Sequence, residues 1–150
     1  MKLAEALQER ADLQKRIAQL SRRLENNARV QQGEKPAEDP VELLRELDEC
    51  IERLEYLIAA INRTNSVTIS EGESLSTLIA RRDCMRKKIS ILQNFLQEAS
   101  DLTARSYRTE IIVKSTVPVH ELRKKVDLLS RDLRTLDLRI QQQNWLSDLI

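Results

Sequence analysis

The sequence predicts a mainly α fold, an antiparallel four-helix, coiled-coil-like bundle with two short β-strands. Three observations predict it. Apolar residues recur at alternating spacings of three and four along four long segments, which is the period of a helix face. Charged residues make up 33% and hydrophobic residues 41% of the chain, as in long packed helices. With only two glycines and three prolines, the chain lacks the turn residues of an all-β protein. Its 150 residues suit one domain, so we expect a single bundle over 1–150.

The first helix is predicted over residues 2–30, before a break at 31–38 that contains Gly33 and Pro36. Its predicted stripe is Leu3, Ala6, Leu13, Ile17, Leu20 and Leu24. The second helix is predicted to begin at Asp39 and Pro40. The Asp39 side chain can accept hydrogen bonds from the free amides, and proline suits the first helical position. The predicted core stripe of the second helix is Leu44, Leu47, Ile51, Leu54, Ile58 and Ile61.

The third helix is predicted over residues 73–101 and the fourth over 118–144. Their stripes have the same three-four spacing, and the four helices are similar in length, as an antiparallel bundle requires. The third stripe contains one charged residue, Arg82, among apolar ones. The predicted stripes are Leu75, Leu78, Arg82, Met85, Ile89, Leu92, Leu96 and Ala99, then Val119, Leu122, Val126, Leu129, Leu133, Leu136 and Ile140.

Two segments rich in β-branched residues, at about 66–70 and 108–117, are predicted to be strands. The third helix separates them by roughly 40 Å. They can pair within the chain only if the second runs back along the bundle; otherwise they pair between chains. We therefore expect a homo-oligomer, most simply a dimer, that forms through the strands.

Polar residues on the predicted stripes indicate where a site would lie, because bundle cores tolerate few of them. Most of these residues map to the end where the first and third helices begin and the second and fourth end. One interpretation is a buried polar layer that fixes helix register. The other is a site for a ligand or a protein partner, with Arg82 binding an anion and the asparagines donating hydrogen bonds. The candidate residues are Asn62, Thr64, Asn65, Arg82, Asp83, Asn144 and Trp145.

Charge is unevenly distributed along the chain. Residues 34–61 contain nine acids and three bases, a net charge of −6, and residues 76–125 contain eleven bases and five acids, a net charge of +6. The simple interpretation is that an acidic second helix lies beside a basic third helix. The alternative is an RNA-binding helical arm that uses Arg86–Lys88 and Arg123–Lys125. The overall charge of +1 and the 3% of aromatic residues argue against nucleic acid.

Several functional classes find no support in the sequence. The first ten residues are charged and do not form a signal peptide, and no apolar run reaches the length of a membrane span. Cys50 and Cys84 stand apart without a CxxC motif, as reduced thiols of a cytoplasmic protein do. His120 is the one histidine, so neither a metal site nor a catalytic triad is indicated. The sequence predicts a non-enzymatic cytoplasmic interaction or scaffold module without metal or cofactor.

Five short motifs are distributed over the whole chain: Glu38-Asp39-Pro40, Ile61-Asn62-Arg63-Thr64-Asn65, Arg82-Asp83, Arg108-Thr109-Glu110-Ile111 and Asn144-Trp145. Together they resemble the septicolysin-like family of small, largely uncharacterised bacterial proteins. The resemblance implies a pore-forming, cytolysin-like activity as an alternative function, and it gives weight to the polar end of the bundle.

Overall fold

The computed structural model describes residues 1–102 and 112–150 and confirms the prediction of a mainly α fold. Four long helices and a two-stranded antiparallel sheet occupy these ranges. Two compact units can be distinguished: residues 1–74 with 143–150, and residues 75–142. The single domain over 1–150 stays a prediction. The elements are α1 (Leu3–Asn26), α2 (Pro40–Val67), β1 (Ile69–Ser70), β2 (Glu73–Ser74), α3 (Leu75–Ser100) and α4 (Val119–Leu146).

In the first unit, α1 and α2 form an antiparallel helical hairpin. The start of α2 is capped as predicted, because Asp39 Oδ1 accepts a hydrogen bond from the Val41 amide at 3.0 Å. At the end of α1, Asn27 holds the connecting loop. Its Nδ2 donates to the Arg23 carbonyl at 2.8 Å and its Oδ1 accepts from the Glu38 amide at 2.9 Å. This explains why an asparagine can occupy a buried position on the α1 stripe.

The hairpin core is a seam with alternating spacings of three and four on both helices. The α1 stripe is the predicted one, with Leu3, Ala6 and Leu20 fully buried. On α2 one buried column recurs every seven positions, at Leu43, Cys50, Leu57 and Thr64, and Ala60 and Ile61 are buried as well. Half-buried side chains packed in the same core complete the seam: Leu13, Ile17, Leu24 and Leu47.

Three ion pairs run along the flanks of this seam. Arg53 pairs with Glu9, Arg16 with Glu46, and Arg23 with Glu38. Each step of seven residues along α1 is matched by a step of seven or eight residues back along α2 and into the loop before it, where Glu38 lies. The pairs therefore follow the register of the apolar core.

The observed strands differ from the predicted ones. Helix α2 continues to Val67, and β1 pairs with β2 in a local hairpin, with Ile69 opposite Ser74. Glu71 and Gly72 form the two-residue turn with φ values of 49° and 85°. Two successive positive φ angles are typical of a tight hairpin turn, and glycine adopts them without steric cost. The prediction of a strand over 66–70 was therefore wrong for its first three residues.

The second predicted strand, 108–117, is not seen over 112–117, and its residues 108–111 lie outside the described ranges. Because β1 already pairs with β2 of its own chain, the structure no longer supports pairing of β1 with a strand of a second copy. Association between copies stays a prediction that needs another surface.

The chain end returns to the first unit. The Leu3 amide donates to the Ser147 carbonyl and the Leu149 amide to the Met1 carbonyl, each at 2.9 Å, in an antiparallel bridge of Lys2 with Asp148. Lys2 Nζ also lies 2.8 Å from Asp148 Oδ1. Backbone hydrogen bonds and one charge pair thus fix both chain ends to each other.

In the second unit, α3 and α4 bury the predicted stripes. Ile89 of α3 and Val126, Leu136 and Ile140 of α4 are less than one tenth exposed. The three-four spacing read from the sequence therefore identifies the buried faces of these two helices, as it does for α1.

Candidate functional site

Helix α2 has a second apolar column that α1 does not bury. Leu44, Ile51 and Ile58 recur every seven residues and are 50%, 46% and 40% exposed. Large apolar side chains scattered singly on a surface are ordinary, but a periodic column along one helix is typical of a helix-binding surface. We call these three residues the α2 outer column.

The sequence pattern predicts that the residues of the α2 outer column lie in the core, and this prediction was wrong. Two stripes with three-four spacing exist on α2, and both contain Leu47, Leu54 and Ile61. One adds Leu43, Cys50 and Leu57, and the other adds the outer column. The hydrophobicity of the residues does not indicate which of the two stripes α1 buries. The structure packs the first stripe against α1 and leaves the second at the surface.

Acidic side chains lie on the same face as the outer column. Asp48 and Glu55 follow Leu44 and Ile51 by four residues, so they lie between the apolar positions. Both are exposed, and within residues 1–102 and 112–150 no ion pair to either is present. By contrast Glu42 and Glu49 both pair with Arg45, on the opposite side of the helix. The outer column therefore combines apolar area with uncompensated negative charge.

Five of the sequence-predicted site residues belong to the first unit. Thr64 is fully buried. Its hydroxyl donates to the Ala60 carbonyl at 2.8 Å and accepts from the Ile150 amide at 2.9 Å. Asn144 is 5% exposed, whereas Asn62 is exposed and Trp145 is 63% exposed. Thr64 thus ties the chain end to α2, and Trp145 does not form a buried lid.

The fifth of these residues, Asn65, shares one property with Asn144. In the described part of the chain the side-chain oxygens of both are buried without a hydrogen-bond partner. Leaving such an oxygen unpaired costs about 1–3 kcal/mol. Asn65 and Asn144 therefore each carry a buried, unsatisfied acceptor in the first unit.

The other two predicted site residues, Arg82 and Asp83, belong to the second unit. Arg82 Nε donates to Asp83 Oδ1 at 3.0 Å, and Arg82 Nη1 lies 3.5 Å from Asp137 Oδ1. Arg86 Nη2 donates to the same oxygen of Asp137 at 3.3 Å. The convergence of all seven predicted residues on one site stays a prediction.

One of the basic residues proposed for RNA, Arg123, lines a shallow depression in the second unit. Asp101 lines the same depression. The other lining residues are Gln93, Leu96, Gln97 and Ser100. A depression with one cation and one anion gives phosphate no strong preference over water.

Comparisons with known proteins place the chain in a family. It matches a family of unknown function, DUF6847, over residues 10–149, and it belongs to that family. A solved structure described as a functionally unknown conserved protein from Corynebacterium diphtheriae is 40% identical, with a TM-score of 0.94. The match covers 100% of this chain and 99% of that one. No curated protein gave a significant match.

These findings overturn the resemblance to the septicolysin-like family, because the family matched over nearly the whole chain is a different one. Three of the motifs that suggested the resemblance, Glu38-Asp39-Pro40, Ile61–Asn65 and Asn144-Trp145, are short segments near the ends of α2 and α4. Caps and buried amides restrict residue choice at such positions in many helical proteins. In the described ranges no helix is long and apolar enough to cross a membrane. The pore-forming alternative depended on the septicolysin-like resemblance and is withdrawn with it.

Proposed function

We propose that this protein is a non-enzymatic interaction module that binds a helix along the α2 outer column. The observation that carries the proposal is the pair of apolar columns on α2, one buried by α1 and one exposed. A helix with two adjacent apolar columns is typical of coiled-coil assemblies of three or more helices, in which each column faces a different neighbour. The partner presents apolar side chains toward the column and Lys or Arg beside them, opposite Asp48 and Glu55.

The apolar area limits the strength of this contact. Fully burying a Leu or Ile side chain stabilises by about 1.5–3 kcal/mol, and each column residue is already about half buried. The three together then contribute roughly 3 kcal/mol, less than the ~4.1 kcal/mol of a millimolar complex. A micromolar complex therefore requires the flanking ion pairs and a second contact of similar size.

We place this activity in the cytoplasm. Cys50 is buried and Cys84 is exposed, and both are free thiols. Exposed free thiols persist in reducing compartments, which supports this location.

Site-specific photo-crosslinking tests the proposal. Benzoylphenylalanine replaces Leu44, Ile51 or Ile58 in the full chain, and irradiation of the producing cells follows. The expected result is a discrete crosslinked product at the three column positions. Matched controls carry the same group at Glu42 or Glu49, which lie on the opposite side of α2 and should give no product. Equal products at both sets of positions, or none at either, would overturn the proposal.

A further inference from the structure

The strongest remaining feature is a second exposed stripe, on α4, whose chemistry complements the α2 outer column. Leu128 and Leu138 are 53% and 71% exposed. Lys124 and Arg131 are exposed on either side of Leu128, at helical spacings of four and three residues. Within the described ranges neither cation makes an ion pair. We call these four residues the α4 outer column.

The α4 outer column lies opposite that helix's own core. Val126, Leu136 and Ile140 form the buried face, and the outer column lies about half a turn away around the helix. Packing inside the second unit therefore does not use it. Like the α2 outer column, the α4 outer column combines exposed apolar side chains with charged ones beside them. Its charges are positive, whereas those beside the α2 outer column are negative.

We propose that the helix bound by the α2 outer column is α4 of a second copy of this chain. This inference rests on the proposed function and names its partner. With the two helices antiparallel and Ile51 facing Leu128, the same register brings Asp48 to Arg131 and Glu55 to Lys124. It also brings Val41 to Leu138, and Val41 is 70% exposed in the chain. Ile51 thus makes an apolar contact that two ion pairs flank, and Val41 adds a second apolar contact. The other two column residues, Leu44 and Ile58, face Thr135 and Glu121 in this register.

Self-association through α2 alone fits less well. An antiparallel pair of α2 helices centred on Ile51 brings Asp48 of one copy close to Glu55 of the other. Like charges that face each other across a helix pair are destabilising. The acidic column therefore selects a basic neighbour, and α4 of the second copy presents one. A two-fold dimer contains this contact twice, which supplies the second contact that the limited apolar area requires.

Charge reversal tests the inference on the purified full chain by light scattering after size-exclusion chromatography. The wild type should approach twice 17.4 kDa as concentration rises. D48K/E55K and K124E/R131E should each weaken self-association about tenfold or more, because both convert attraction into repulsion. Mixing these two variants should restore a dimer, since the reversed α2 of one matches the reversed α4 of the other. E42K/E49K, with the same change in net charge on the opposite side of α2, should associate as the wild type does.

Each other outcome overturns the inference. A monomeric wild type at high micromolar concentration, dimers that survive both reversals, or a mixture that stays monomeric would each exclude the α2–α4 contact. The proposed function fails separately. If the photo-crosslinked product at Ile51 contains a different protein, the α2 outer column is a binding surface but its partner is not a second copy. If the product contains two copies joined from Ile51 to α4, both proposals are supported.

Discussion

Arg53 and Glu9, which are 44 residues apart in the sequence, form a two-point contact between α2 and α1. Arg53 Nε donates to Glu9 Oε1 at 2.7 Å and Nη2 donates to Oε2 at 2.9 Å. The guanidinium also lies 5.2 Å from the centre of the Tyr56 ring. Parallel hydrogen bonds of this kind fix orientation as well as distance, so the pair sets the register of the hairpin near its open end.

The first prediction is that the α1–α2 hairpin loses stability in acid. Hydrogen bonds from Arg53 and Arg23 hold the pKa of Glu9 and of Glu38 below the ordinary value of 4.5. A depressed pKa in the folded state stabilises the fold at pH values above the unfolded pKa, and this stabilisation is lost as pH falls through the folded value. Unfolding midpoints in urea should therefore fall modestly as pH drops below about 4.5, because both ion pairs are largely exposed to solvent.

The variant E9Q/E38Q isolates this contribution. It should be less stable than the wild type at pH 7, and the difference should shrink toward pH 3 because the wild-type carboxylates are then protonated too. The control Glu52→Gln changes an exposed acid that has no ion pair in the described ranges, and it should track the wild type throughout. A difference that is constant with pH would show that neither pair contributes through its charge.

The second prediction compares two adjacent residues of α2. Leu57 is fully buried and Ile58 is 40% exposed. Leu57→Ala should cost about 2–5 kcal/mol of unfolding free energy, and Ile58→Ala about 1 kcal/mol or less. Denaturant titrations run well below the concentration of self-association compare the two directly. Equal costs, or a larger cost at Ile58, would mean that the outer column is the true core of the hairpin.

This pair of residues also shows what could be predicted from the sequence. For α1, α3 and α4 one apolar stripe stands out from polar surroundings, and the structure buries that stripe. For α2 two stripes overlap, and the isoleucines at positions 51 and 58 favoured the wrong one. The choice depends on which side α1 packs against, and that is information about tertiary structure that no local period contains.

The candidate site was less predictable than the fold. Polar residues on the predicted stripes identified Asn65 and Arg82 as exceptions, and the side chains of both are partly buried. The α2 outer column gave no such signal, because an apolar residue at a helical period is indistinguishable from core until the core is known. Asp48 and Glu55 beside it were read as part of a general acidic bias rather than as one face.

The third prediction concerns the attachment of the chain end. Thr64 Oγ1 accepts the Ile150 amide at 2.9 Å. Thr64→Val keeps the side-chain shape but removes this acceptor, so the last residues should exchange amide hydrogens faster, with a stability loss of about 1 kcal/mol. Thr64→Ser retains the hydroxyl and should protect the Ile150 amide nearly as well as the wild type. Equal exchange in all three proteins would show that the backbone bridge of Lys2 with Asp148 suffices.

The last prediction separates the partners of Arg82. Its side chain is 18% exposed, and Asp137, at 34%, is shared with the more exposed Arg86. Asp137→Asn removes one of the two carboxylates near the Arg82 guanidinium and leaves Asp83 as its ion-pair partner in the described ranges. It should lower the free energy of unfolding by about 1 kcal/mol, because these positions are partly exposed. Arg82→Leu removes the charge from an apolar stripe and should leave stability unchanged or raise it, because the desolvation cost of the guanidinium disappears. In the double variant Asp137→Asn should cost less than it does alone, and a double-mutant cycle by urea denaturation measures that coupling. If Arg82→Leu instead lowers stability, and its effect and that of Asp137→Asn are additive, then Arg82 stabilises the second unit without its pairing to Asp137.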